Sequence, residues 1–205
     1  MGKIILVDKP KGMTSFDVCF KLRKIFGTKK IGHTGTLDPN ATGVLPVLLG
    51  TATKAQDIIP CQDKRYLADF RLGIATDTLD IWGEVTPTGK PIPTLSEIED
   101  ALPSFRGDIL QIPPMTSALK QQGQRLYTLA RQGITVDRPA RPVTVFSLDI
   151  LQYDPDKGEL TIDCHCSKGT YIRTICDDLG MKLGCGAVMI ALRRTRAAGM
   201  PIEEA

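Results

Sequence analysis

The chain has 205 residues, 42% hydrophobic and 24% charged, and its 26 Lys and Arg against 23 Asp and Glu leave a net charge of +3. That length suits one large domain with a sizeable core, and so small a charge excess rules out reading a nucleic-acid partner from the sum alone. No apolar run reaches the length of a membrane span, the run after the first methionine is too short for a signal peptide, and six cysteines in such a chain read as reduced thiols. A cytoplasmic protein with no membrane partner is expected.

Residues 3–7 predict a short buried strand that ends in the turn Asp8-Lys9-Pro10-Lys11-Gly12. Thr14 or Ser15 can cap the helix that follows, whose apolar stripe is Val18, Cys19, Leu22, Ile25 and Phe26, with Gly27 as its stop. Residues 44–49 are apolar, and 51–59 fit neither period. Tyr66, Ala68, Phe70 and Leu72 alternate with polar neighbours and predict a strand. A Pro-rich connection over 87–93 leads to a short helix over 96–102. Residues 104–143, with Pro113-Pro114 and a helix near 123–132, read as an excursion from the sheet. Strands over 143–153 and 159–166 are joined by a turn at Asp154–Gly158. A helix over 170–183 and a strand over 188–192 complete the order. Basic residues gather at 21–30, at Arg131, Arg138 and Arg141, and at Arg193, Arg194 and Arg196, a distribution that suits phosphate contacts and equally suits solvated faces.

Several motifs fail on spacing. Gly83–Lys90 is one residue too long for a phosphate loop, and Gly184-Cys185-Gly186 lacks the third glycine of a dinucleotide fingerprint. Cys164-His165-Cys166 on a strand sends its thiols to one side and its imidazole to the other, so no metal site is expected there.

The most informative stretch is Gly32-His-Thr-Gly-Thr-Leu-Asp-Pro-Asn-Ala-Thr-Gly-Val-Leu-Pro46. Its three glycines and two prolines argue against a regular helix or central strand, and Pro39 biases Asp38 towards an extended backbone. A carboxylate on such a turn can point into a cleft. Almost residue for residue, this stretch resembles the catalytic motif of the TruB-type tRNA pseudouridine-55 synthases. Further blocks of that family are matched in order: Leu6-Val7-Asp8-Lys9-Pro10 through Thr14-Ser15, Lys64-Arg65-Tyr66 with Thr76-Asp77-Thr78-x-Asp80, Phe105-Arg106-Gly107 through Tyr127, Cys166–Arg173, and Leu192-Arg193-Arg194.

The resemblance implies an α+β pseudouridine synthase fold, a mixed, mostly antiparallel sheet flanked by helices, as one catalytic domain over 1–205 with a thumb-like RNA-binding insertion at 104–143. It implies an isomerase that flips the T-loop uridine 55 out of tRNA and exchanges its C1′–N1 bond for C1′–C5. Asp38 would be the nucleophile or base, with Arg173 as its partner. Tyr66 would stack on the flipped base and move a proton. Tyr171 and Leu192 would line the pocket, His33 would hold the RNA loop open, and Lys168 and Lys9 would sit near the cleft at a phosphate. Asp80 matches a family position without an assigned role. No cofactor or metal is implied, the partner is the T-arm stem-loop of tRNA, and a monomer is expected. The family's usual C-terminal RNA-binding (PUA) domain is expected to be absent. Two rival readings stand beside this one: an RNA-binding or tRNA-folding chaperone with secondary or lost catalysis, and a synthase acting on another RNA.

Overall fold

The computed structural model describes residues 2–56, 58–59, 62–121 and 123–205; Cys61, one of the six expected reduced thiols, lies outside them. In chain order the elements are β1 (Lys3–Lys9), α1 (Ser15–Phe26), β2 (Ile31–His33), β3 (Thr42–Leu49), β4 (Lys64–Leu72), β5 (Ile74–Ala75), β6 (Thr86–Pro87), α2 (Leu95–Ala101), β7 (Gly107–Gln111), β8 (Lys120–Gln121), β9 (Gln124–Arg125), α3 (Leu126–Arg131), β10 (Arg141–Asp154), β11 (Glu159–Cys166), α4 (Ile172–Lys182), β12 (Ala187–Ala197) and β13 (Met200–Pro201). Among these described residues no helix is long and apolar enough to cross a membrane. The α+β class with a mixed sheet is the expected one. The chain forms two compact units, the first comprising residues up to Leu67 with Asp163–Lys168 and Ala191–Ala205, the second Ala68–Ile162 with Gly169–Ile190.

In the first unit β3 pairs antiparallel with β1 along its whole length, from Lys3 opposite Leu49 to Lys9 opposite Gly43. Seven of its eight residues are buried, so its sequence is a continuous apolar run rather than an alternation. The other edge of β3 is shared. β12 pairs there in parallel, Arg193 opposite Thr42 and Arg194 opposite Gly43, and β2 pairs antiparallel from His33 opposite Val47. Pro46 falls between those two pairings, and its carbonyl accepts from Thr34 N–H at 3.0 Å on the same side. The missing N–H of the proline therefore falls where no ladder bond is needed. This corrects the expectation that the Gly32–Pro46 stretch cannot run as a central strand: both its ends are strand, and only 34–41 form a loop.

Helix α1 closes this core. Thr14 and Asp17 form a reciprocal capping box at its start, and Gly27, at φ +59°, ends it in the left-handed conformation. Its Val18 and Cys19 pack with Leu45, Val47 and Leu49 of β3, and Ile5, Val7, Met13, Leu22 and Ile31 surround them.

In the second unit β10 is flanked by β11 and β7, with Arg141 opposite Gln111 and Val145 opposite Gly107. Residues 107–111, read from the sequence as part of an excursion, are thus an edge strand. Thr94 and Glu97 cap α2 with a second capping box. α4 buries Ile172, Ile175, Cys176 and Leu179, and Gly180 lets the following chain come close, since a Cβ there would lie 2.2 Å from Ala187 N.

Candidate active site

In the first unit the 34–41 loop is fastened from three directions. Leu37, at 3% exposure, is its apolar anchor, with its N–H donating to Ser15 Oγ at 2.9 Å and its carbonyl accepting from the same hydroxyl at 3.1 Å. Gly12 N–H donates to Pro39 O at 2.8 Å, and Ala41 N–H donates to Asp38 O at 3.1 Å. The third fastening is Lys9. Fully buried, its ammonium donates to the carbonyls of Pro10 (3.0 Å), Met13 (2.6 Å) and Pro39 (3.1 Å). An ammonium has three protons, and all are used within the chain. Asp38 itself is half-buried on this loop. Burial pulls the Lys9 pKa below its ordinary value, and the negative charge of Asp38 pushes it back up.

Tyr66 of β4 is buried in the same unit. Burial pushes its phenol up to about 12, and the positive charge of the Arg194 guanidinium moderates that rise. The phenol is therefore protonated at neutral pH. His33 is half-buried, and burial, followed by the positive charge of Arg194, pulls its pKa below the ordinary 6.5. The imidazole is neutral at pH 7, suited to packing or hydrogen bonding rather than to a permanent phosphate contact. Lys64, two residues before Tyr66, is also pulled down, first by desolvation and then by Arg194. Leu192 is half-buried on β12 and Lys168 is exposed after β11.

In the second unit Arg173 lies in the first turn of α4 and is 5% exposed. It is no surface arginine. Its Nη1 donates to Thr116 Oγ1 and to Thr78 O (3.4 Å), and its Nη2 to Thr116 O (3.3 Å). Asp80 Oδ2 lies 3.7 Å from Nη1. Tyr171, two residues earlier, is held through its backbone. Buried Gln111 donates from Nε2 to Tyr171 O at 3.0 Å and accepts Tyr171 N–H on Oε1 at 2.7 Å.

The first unit therefore contains Lys9, His33, Asp38, Tyr66, Lys168 and Leu192 of the sequence-predicted set, and the second contains Tyr171 and Arg173. Three functional candidates were not singled out from sequence. Asp80 was visible as a motif position, and the structure places its carboxylate beside Arg173. Gln111 left only the weak signal of a polar residue between apolar ones. Arg194 was read as part of a basic patch, yet it is 0% exposed, donating from Nε to Val44 O (2.8 Å) and from Nη2 to Gly35 O (3.1 Å). Arg193 beside it pairs with Asp8, Nη2 to Oδ2 at 2.7 Å. At the Cys164-His165-Cys166 stretch the two cysteines are buried and His165 lies on the other face, 3.7 Å from Asp63.

Comparison with known proteins places the chain in a family. The family model described as TruB family pseudouridylate synthase (N terminal domain) matches residues 23–172, and that of the tRNA pseudouridylate synthase B C-terminal domain matches residues 173–205. The chain is 52% identical over 201 residues to tRNA pseudouridine synthase B of Haemophilus influenzae, covering 98% of this chain and 64% of that protein. It is 55% identical over 200 residues to the protein of the same name from Shewanella amazonensis, covering 98% and 63%. The chain thus spans less than two thirds of the length of these relatives. Among solved structures it is similar to a Cbf5-Nop10-Gar1 complex, with 31% identity, a TM-score of 0.72, and coverage of 95% of this chain and 48% of that one. Matched over residues 23–172 by the family model, the chain belongs to the TruB family of pseudouridylate synthases.

Proposed function

We propose that this chain isomerises uridine 55 in the T-loop of tRNA to pseudouridine, with Asp38 as its catalytic carboxylate. The observation that carries the reading is the Asp38 loop: a half-buried carboxylate on a short turn braced by Lys9, Ser15 and Gly12. The relatives' name, tRNA pseudouridine synthase B, supports tRNA as the substrate. The reaction breaks C1′–N1, turns the base, forms C1′–C5, and moves the C5 proton so that N1 ends protonated; atoms and electrons balance without a co-reactant. A base inside a stem-loop has to leave the stack before a carboxylate can reach it. An ionised Asp38 serves each available route: attack on C1′, addition to the base, or proton removal from the sugar.

In this reading Tyr66 packs on the flipped base, and its protonated phenol can give and take a proton. Arg173 orients the reacting carboxylate with a planar fork, and Tyr171 and Leu192 line the pocket. His33 fills the space from which the base departs. Exposed Lys168 suits a phosphate contact, whereas Lys9, with its protons already spent, serves the site by holding the loop. Residues 104–143 act as the RNA-gripping insertion, and the enzyme works as a cytoplasmic monomer without metal or cofactor.

The test uses a T-arm hairpin carrying 5-tritiated uridine. Wild-type chain should release tritium, and Asp38→Asn should release none while binding the hairpin within several-fold of wild type. Release at near wild-type rate from Asp38→Asn would refute the assignment. Pseudouridine mapped at a different RNA position would move the substrate and keep the chemistry.

A further inference from the structure

We infer that Arg194 is a positioning residue of the active site: a buried guanidinium that locks both arms of the Asp38 loop. This rests on the reading of Asp38 and Tyr66 given above. Beyond its place in the Leu192-Arg193-Arg194 block, nothing in the sequence sets Arg194 apart, since Arg193 and Arg196 lie beside it with the same charge. The structure separates them. Arg193 pairs with Asp8 at the surface and Arg196 is exposed, while Arg194 has no exposed surface.

Its bonds fall on both arms of the loop. Nε donates to Val44 O, after Asp38, and Nη2 donates to Gly35 O, before it. The backbone repeats the fastening, with Arg194 opposite Gly43 in the parallel β12–β3 pairing. Gly43 takes φ +109°, and a Cβ there would sit 2.1 Å from Arg194 O. Gly35 is less tightly pressed: a Cβ there would lie 3.3 Å from Arg194 Nη1 and 2.9 Å from Lys64 Cε. One planar fork thus spans the two ends of the turn that carries Asp38. Its charge acts on Lys9, His33, Lys64 and Tyr66. A lysine could supply that charge but not two bonds in fixed, divergent directions. Burying a guanidinium is costly unless its donors are satisfied. Here neutral backbone carbonyls accept from Nε and Nη2 while Nη1 is buried without a hydrogen-bond partner among the described residues, so part of that cost is carried in order to hold the loop.

The test compares the wild-type chain with Arg194→Lys. In hydrogen exchange, the N–H groups of Thr34, Leu37 and Ala41 should lose protection by about tenfold or more, as for a loop deprived of two hydrogen bonds, while amides of the β1–β3 ladder keep theirs. In single-turnover conversion of the tritiated hairpin, the rate at saturation should fall by about 100-fold, the scale of an ångström-level misplacement, with hairpin affinity held within about threefold. Unchanged loop protection and an unchanged saturated rate in a folded Arg194→Lys chain would overturn the inference. A loss confined to affinity would overturn it too, since it would make Arg194 an RNA contact. If Arg194→Lys does not fold, the wild-type chain decides by nitrogen-15 NMR. An Arg194 Nε–H in slow exchange and unshifted by added hairpin supports the brace, and a large shift on RNA binding refutes it. Should wild-type chain convert no RNA at all, the proposed reaction fails, while the loop's exchange rates still judge the brace alone.

Discussion

Lys9 Nζ donates to the carbonyl of Pro39 at 3.1 Å, one residue beyond Asp38, and to the Pro10 and Met13 carbonyls across the turn that leaves β1. A fully buried cation is thereby spent on the backbone, with Asp38 as the charge that raises its pKa. Two outcomes follow from that relationship. Lys9→Met takes the ammonium from the part-buried Pro10 and Met13 carbonyls, while Pro39 O keeps Gly12 N–H, and should cost at least about 2 kcal/mol of stability, at about 1 kcal/mol or more for each acceptor stranded; urea denaturation measures it. Asp38→Asn removes the charge that holds the ammonium protonated, so the Lys9 pKa should fall further below its ordinary value. The Cε resonance of Lys9, followed through alkaline pH in both proteins, reads this directly. A Lys9 pKa that rises in Asp38→Asn would contradict the pairing.

His33 gives the pH dependence. Its folded pKa lies below the ordinary 6.5, first through burial and then through Arg194. Between 6.5 and the folded value the unfolded chain binds a proton that the folded chain refuses, so stability falls as pH drops through that window and is fully retained above it. His33→Asn should flatten this part of the stability curve, measured by urea midpoints from pH 7.5 to 5. Hairpin affinity above pH 7 should be insensitive to the titration, because the imidazole is already neutral. Identical slopes in the two proteins would show that His33 does not titrate differently on folding.

Much of this was legible locally. Thr14 and Gly27 bracket α1 as the cap residues require, and the strand expected over 159–166 coincides with β11 to the residue. The Asp38 loop announced itself through Gly, Pro and a lone carboxylate. What escaped depends on partners far along the chain. Pro46 argues against a strand unless one knows that two different strands share the same edge of β3 and meet there. The polar tail of β12, Arg193-Arg194-Thr195-Arg196, carries no strand period that outweighs its charge, so the strand was expected to stop at 192 and runs to Ala197. Arg173, Gln111 and Arg194 look like surface residues in any local window. Their burial comes from carbonyls and hydroxyls that lie tens of residues away in sequence.

Gly43 is a sharp test of how tightly β12 presses on the loop. At φ +109°, with a would-be Cβ 2.1 Å from Arg194 O, Gly43→Ala combines backbone strain with a collision against backbone that has no rotamer to yield. A loss of at least about 3 kcal/mol is expected, the sum of a strained φ and an overpacked contact. Gly12→Ala is the control. It also sits at positive φ, +85°, but its Cβ would meet nothing within 4 Å, so strain alone should cost it about 1–2 kcal/mol. Equal losses in the two variants would mean that the β12 contact is not tight.

Arg173 tests whether geometry or charge matters in the second unit. Its guanidinium spreads over Thr116 Oγ1, Thr116 O and Thr78 O, with Asp80 3.7 Å away. These bonds diverge from two different nitrogens, and a lysine ammonium can satisfy only part of the set. In Arg173→Lys the charge survives, so long-range attraction for RNA survives with it, while the orientation of the head group is lost. The saturated single-turnover rate should therefore fall by about 100-fold, with hairpin affinity within a few-fold of wild type, the pattern of an interaction made in the transition state. Asp80→Asn removes the carboxylate from a mostly buried pair and keeps its shape. It should lower the same rate by less than Arg173→Lys does, because the threonine contacts still hold the fork. The double variant should lose little more than Arg173→Lys alone, since the two residues act through one guanidinium. If Arg173→Lys weakens hairpin binding tenfold and leaves the saturated rate alone, Arg173 grips phosphate, and its contacts with Thr78, Asp80 and Thr116 serve only the fold.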